Sequence, residues 1–220
     1  MRSLKNSHNG ERCFIVATGP SLTLEDLELI KGEYCFSMNS IVNLFDKTNF
    51  RPNFFAIQDE YVYNKIEDKI SDYRDELKTI YISNSVNNLC HVNGNKVVFN
   101  LDYLNHKYNK KKISAKISNN CAYKVYDGYS ITFSLLQIAI YMGFKKIYLL
   151  GNDCNYDCDK THVIDYGFDD PNKEMLGMRM ILAYEKVKND ILEKNIEVFN
   201  CTRGGMLEVF PRCKLEDILS

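Results

Sequence analysis

The sequence predicts an α/β fold in which one mainly parallel sheet carries helices on both faces, built as a single domain over residues 1–220. Three observations lead there. Short, continuous apolar runs of strand length recur along the chain, amphipathic stretches of helical length separate them, and no internal repeat or break in composition divides the whole. A chain of 220 residues can bury a substantial core, and its 45% apolar and 26% charged content excludes disordered and collagen-like classes.

The elements follow in order. Residues 13–17 (CFIVA) read as a buried strand that runs directly into Thr18-Gly19-Pro20-Ser21. A helix over 23–30, with Leu24, Leu27 and Leu29 and acids in its first turn, is capped by Ser21 or Thr23. Strands at 34–38 and 53–57 flank a short helix from Ser40, and the second of them ends at Gln58-Asp59-Glu60. A charged helix over 61–77 precedes strands at 79–83 and 96–100. The segment 101–127, rich in Asn, Lys and Tyr and without a period, reads as a flexible excursion. Residues 130–142 are apolar on nearly all sides, as in a central buried helix, with Gly143 as its stop and a strong strand at 147–150 (IYLL) after it. A polar flap at about 152–172, a long helix over 173–194, a strand at 197–200 and a short terminal helix complete the chain.

Charge and patterning exclude several functions. With 28 basic against 29 acidic residues there is no generally basic surface for nucleic acid. The one basic run, containing Lys110, Lys111, Lys112 and Lys116, reads as a solvated loop. The longest apolar stretch, 131–144, includes Thr132, Ser134 and Gln137 and falls short of the ~20 residues a spanning helix needs. The first residues, MRSLKNSHNGER, contain no apolar core of signal-peptide type, so the expected location is the cytoplasm, with peripheral attachment at the inner membrane left open. Eight cysteines occur without a CxxC pair; Cys13, Cys35 and Cys201 lie in or beside apolar runs as reduced hydrophobes, and Cys154 and Cys158 lack a second ligand pair for zinc. No metal site is expected.

In open α/β sheets ligands bind beyond the carboxyl ends of the strands, so the polar strand ends are the candidate site. Thr18-Gly19-Pro20-Ser21 allows close backbone approach in front of a helix N-terminus, which suits a phosphate; the alternative is an ordinary turn capped by Ser21. It is neither a GxxxxGK[ST] loop nor a GxGxxG. Asn39 and Gln58 place carboxamides at the rim, with the Asp59 carboxylate beside them, able to read a base or ribose edge or simply to cap the next helix. After the strongest strand, GNDCNYDCDKTH brings Asp153, Asp157, Asp159 and His162 together; the carboxylates could hold Mg²⁺ against a diphosphate, or His162 could act as general acid or base, or the loop could be merely solvated. Tyr156 and Tyr166 bracket His162 with hydroxyls. Arg203, beside Gly204 and Gly205, could fork onto a phosphate or carboxylate, or stand exposed on a closing turn.

Taken together, ATGPSL at 17–22, Asn39, the run SITFSLLQIAIYMGFKKIYLLGNDCNY at 130–156, KTH at 160–162 and the ending NCTRGGMLEVFPRCKLEDIL resemble a family of bacterial surface-polysaccharide proteins. That family is related to the 6-hydroxymethylpterin pyrophosphokinase MptE-like proteins and, more distantly, to the family 42 sialyltransferases. The resemblance implies a Rossmann-like, GT-A-variant sheet and an inverting glycosyltransferase using a CMP-sialic-acid-like donor and a glycan acceptor in surface polysaccharide or lipopolysaccharide synthesis. It further implies that Thr18, Gly19, Pro20, Ser21 and Asn39 hold the nucleotide, with Thr18 where the sialyltransferases have Asn, together with Ser130 and Thr132. Gln58, Asp59 and Asp153 join these as donor-binding candidates, His162 is implied as the catalytic base, and Tyr156 or Tyr166 as hydroxyls at the donor phosphate. No cofactor is implied, and a homo-oligomer is compatible. The alternatives are an ATP- and Mg²⁺-dependent diphosphokinase of the pterin type and a non-catalytic nucleotide-binding subunit.

Overall fold

Seven strands lie side by side in one sheet, each formed where the sequence has a short, continuous apolar run. In the computed structural model, which describes residues 1–103, 114–156, 161–165, 167 and 173–219, these are β1 (Arg12–Val16), β2 (Cys35–Met38), β3 (Phe54–Ile57), β4 (Ile80–Ser83), β5 (Lys96–Phe99), β8 (Lys146–Leu150) and β9 (Glu197–Asn200). Two two-residue strands, β6 (Leu101–Asp102) and β7 (Val125–Tyr126), form a separate parallel ladder. The main sheet runs β5-β4-β3-β2-β1-β8-β9, and every neighbouring pair is parallel. The helices are α1 (Leu24–Leu29), α2 (Glu60–Asp72), α3 (Asn84–Asn87), α4 (Ile131–Met142), α5 (Lys173–Leu192) and α6 (Leu215–Leu219).

The period-2 geometry of a strand sends alternate side chains to opposite faces. In β1, Cys13 and Ile15 face a core shared with Phe133, Leu136, Ala183 and Tyr184, so α4 and α5 cover that side. Phe14 and Val16 face the other core, which takes Leu27 and Ile30 of α1 with Ile66 and Ile70 of α2. Both faces of the central strands are thus buried, which is why they carry apolar runs with no polar alternation. Cys13, Cys35 and Cys201 are buried free thiols in these cores, as their apolar neighbours implied.

Two segments depart from the sequence reading. The charged helix stops at Asp72, and the chain continues as one 3₁₀ turn over Arg74–Glu76. The described part of 101–127 is no loose excursion. Ile117, Cys121 and Val125 enter the core, and the Gln137 carboxamide on α4 holds the backbone: its Oε1 accepts from the amides of Ser118 (3.2 Å) and Tyr126 (3.0 Å), while Nε2 donates to Tyr126 O (2.7 Å). One buried side chain therefore replaces the missing periodicity. Lys110, Lys111 and Lys112 lie outside the described residues.

Candidate active site at the β1–β8 crevice

Successive strands step outward from β1 through β5, whereas β8 and β9 add on its other side. The order reverses between β1 and β8, and a crevice opens beyond the carboxyl ends of strands at such a reversal. A cavity of about 60 Å³ sits there. Its wall includes Thr18 and Gly19 after β1, Asn39 after β2, Ser130 and Thr132 at the start of α4, Asp153 and Tyr156 after β8, and His162. Eight of the sequence-predicted residues thus meet at one point. Small-molecule sites usually enclose ~300–1,000 Å³, so a bound nucleotide requires these walls to part.

The turn after β1 is held by the chain after β8. Gly19 donates its amide to Gly151 O at 2.9 Å, and a Cβ on Gly19 would stand 2.0 Å from Asp153 Oδ2 and 2.4 Å from Gly151 O. Gly151 itself adopts φ +62°, a backbone region that L side chains avoid. Ser21 Oγ donates to Asp153 Oδ2 at 2.8 Å. Gly19 and Ser21 therefore spend these groups on the protein. The helix N-terminus expected to cradle a phosphate is also committed: Thr23, not Ser21, caps the six-residue α1, through a reciprocal capping box with Asp26. The helix that does begin at the cavity is α4, with Ser130 as N-cap accepting from the Thr132 amide at 3.1 Å.

The His162 segment is latched to the same turn, since Val163 N–H donates to Thr18 O at 2.8 Å. Tyr156 meets the imidazole edge-on at 6.2 Å, and Thr161 Oγ1 lies 3.0 Å from its Nδ1. In the tautomer whose Nδ1–H donates to Thr161, the lone pair resides on Nε2 and is the proton-accepting site. Burial pulls the His162 pKa down from 6.5 to about 4, although Asp165 acts in the opposite sense, so the ring is neutral at physiological pH. Burial likewise holds the Asp153 carboxyl above its ordinary pKa, with the Ser21 hydrogen bond opposing. Asn39 sits in the left-handed region at φ 50°, and its buried Oδ1 has no hydrogen-bond partner among the described residues.

Four predicted residues lie elsewhere. Pro20 and Ser21 are not in the described wall of the cavity, although Ser21 touches it through Asp153. Gln58 is held by Ser134, whose Oγ donates to Oε1 at 2.7 Å, and Asp59 caps α2 by accepting from the Val62 amide at 3.0 Å. Tyr166, Asp157 and Asp159 fall outside the described residues. Arg203 forks onto carboxylates of the protein itself, Asp26 at 2.5 Å and Glu216 at 3.3 Å, and Gly205 gives close passage past the Asp153 backbone. The wall also takes Asn152 and Met180, which sequence reading did not single out, and Cys154, which it weighed only as a zinc ligand. Asn152 was legible only as a polar residue after a strong strand, and Met180 as one apolar position among many on α5.

The fold and crevice define a Rossmann-like α/β protein with a polar site at its strand-order reversal. The family model described as 6-hydroxymethylpterin diphosphokinase MptE-like matches residues 1–159, and the chain belongs to that family. No curated protein matches it. Among solved structures, it is similar to the MAf glycosyltransferase from Magnetospirillum magneticum AMB-1, with a TM-score of 0.68 and 19% identity over 96% of this chain and 35% of that one. The chain thus spans about a third of that enzyme's length. It is also similar to the sialyltransferase CstII from Campylobacter jejuni, solved with the substrate analogue CMP-3FNeuAc, with a TM-score of 0.53 and 13% identity over 92% of this chain and 85% of that one. At these identities the likeness is one of fold. Among the described residues, no helix is long and apolar enough to cross a membrane.

Proposed function

We propose that the chain is an inverting glycosyltransferase that takes a CMP-sialic-acid-like nucleotide sugar and serves the assembly of a bacterial surface polysaccharide or lipopolysaccharide. One observation carries this reading: His162, the turn after β1, Asn39 and the start of α4 all line one cavity at the β1–β8 reversal. Hydroxyls of Thr18 and Ser130 and the Asn39 oxygen, which has no partner among the described residues, offer the hydrogen-bonding needed by a nucleotide, and the N-terminal end of α4 favours a negative charge.

In this reading neutral His162 accepts the proton of an acceptor hydroxyl as that oxygen attacks the anomeric carbon. The bond to the donor phosphate breaks and the nucleotide leaves with its electron pair. Tyr156, and Tyr166 by resemblance, donate hydroxyls to the departing phosphate. The donor's negative charge beside the imidazole raises its pKa towards neutrality, which makes it a better base in the complex than in the free protein. General-base assistance is worth ~10²–10⁴-fold.

The test is turnover of CMP-N-acetylneuraminate by His162→Ala. The expected result is a fall of about 10²–10⁴-fold in hydrolysis and transfer with CMP binding retained; full turnover in the variant would reject His162 as the base. The family's description favours a second reading, ATP:pterin diphosphokinase activity, in which Asp153 would help to hold Mg²⁺. Activity that persists in excess chelator counts against it.

A further inference from the structure

Arg179 belongs to α5 and precedes Met180, which lines the cavity. Its guanidinium carbon lies 5.7 Å from the centroid of the Tyr129 ring, and Tyr129, held at φ 65°, immediately precedes the cavity residue Ser130. Arg179 and Tyr129 are not in the described wall of the cavity, but each is next in sequence to a residue that is, Met180 and Ser130. Other arginines spend their charge within the protein: Arg12 on Glu33, Arg51 on Glu76, Arg203 on Asp26 and Arg212 on Glu208. Among the described residues Arg179 has no such partner, only the aromatic face. A half-buried guanidinium that keeps its fork of donors unspent is matched to a planar or tetrahedral oxyanion. The described cavity wall meanwhile contains a carboxylate, Asp153, and no lysine or arginine, so an anionic substrate has no cation within the wall itself.

We infer that Arg179 is the anion-recognising residue of this site, forking onto a carboxylate or phosphate group of the substrate held in the crevice. This rests on the glycosyl-transfer reading above. Tyr129 holds the guanidinium in place, and Asp127, which accepts from the Tyr129 amide at 3.2 Å, fixes the turn that presents it. A sugar acid such as a sialic acid offers a carboxylate, and every nucleotide donor offers phosphate; the experiment separates the two.

Wild type, Arg179→Gln and Arg179→Lys are titrated with CMP, CMP-N-acetylneuraminate, UDP-N-acetylglucosamine and ATP, with unliganded melting as the check on folding. If the carboxylate is the target, Arg179→Gln weakens CMP-N-acetylneuraminate at least tenfold and CMP less than twofold. If the phosphate is the target, both weaken alike. In either case Arg179→Lys recovers part of the loss, because it restores charge without the fork. Binding of every probe within twofold of wild type by a folded Arg179→Gln overturns the assignment. A wild type that ignores both CMP probes but binds ATP or UDP-N-acetylglucosamine overturns the donor reading alone, and the same variant comparison on that nucleotide then decides Arg179. A wild type silent to all four overturns both.

Discussion

Ser21 Oγ donates to Asp153 Oδ2 at 2.8 Å, fastening the turn after β1 to the chain after β8. The carboxylate it holds is nonetheless buried, and burial keeps the Asp153 pKa above the ordinary 3.8. Between the ordinary and the raised value the native state binds more protons than the unfolded chain, so this group's contribution to stability falls as pH rises through that interval and stays reduced at neutral pH. Asp153→Asn removes the effect while its amide oxygen can still accept from Ser21. Urea unfolding should show the variant at least as stable as wild type at pH 7, with the advantage gone below about pH 3.5. A variant less stable than wild type at both pH values would contradict this. A carboxylate kept at a cost in stability is what a functional role would retain.

Gly19 is the point of closest approach between the two loops. A methyl group there meets Gly151 O, which is backbone and cannot swing aside, as well as the Asp153 carboxylate. Gly19→Ala should destabilise the fold by about 1–3 kcal/mol and weaken nucleotide binding, read by urea midpoints and CMP titration. Unchanged midpoints would mean that the loops part easily.

Much of this architecture was legible in the sequence, for a local reason. Strands such as CFIVA and IYLL are buried on both faces, so their apolar runs mark them to within a residue or so, and α4 showed itself by being apolar all round. The convergence of Thr18, Asn39 and His162 followed from where parallel strands end, whereas Ser130 was reached through the family resemblance alone. Hidden were the long-range partners. Nothing near Gly19 says that its tight fit is against Asp153 instead of a ligand, and nothing near Arg203 names Asp26. The order within 114–127 depends on Gln137, which in sequence is only a polar interruption of an apolar helix.

Arg203 reaches Asp26, which is 1% exposed and whose Oδ1 has no partner among the described residues. Removing the cation leaves a buried charge with a capping role but no ion pair. Because the guanidinium is itself half exposed, Arg203→Met should cost on the order of 2 kcal/mol in denaturant unfolding, less than for a fully buried pair. Adding Asp26→Asn should recover part of that loss. A neutral single variant would show that water already serves Asp26.

His162 gives stability a second pH dependence of opposite slope. Its folded pKa, about 4, lies below the ordinary 6.5, so between those values the unfolded chain binds more protons. The stability it allows is complete above about pH 6.5 and is lost as pH falls towards 4. His162→Gln should therefore show a flatter urea-midpoint profile than wild type between pH 4.5 and 7. Parallel profiles would show that the ring titrates normally.

The most direct measurement is the imidazole titration of His162 by NMR, assigned with His162→Gln, in the free protein and with CMP bound. A nucleotide phosphate seated at the β1–β8 crevice brings negative charge beside this ring, so its pKa should rise from about 4 by about 1–3 pH units. Saturable CMP binding that leaves the His162 titration unmoved would place the nucleotide elsewhere and contradict the account.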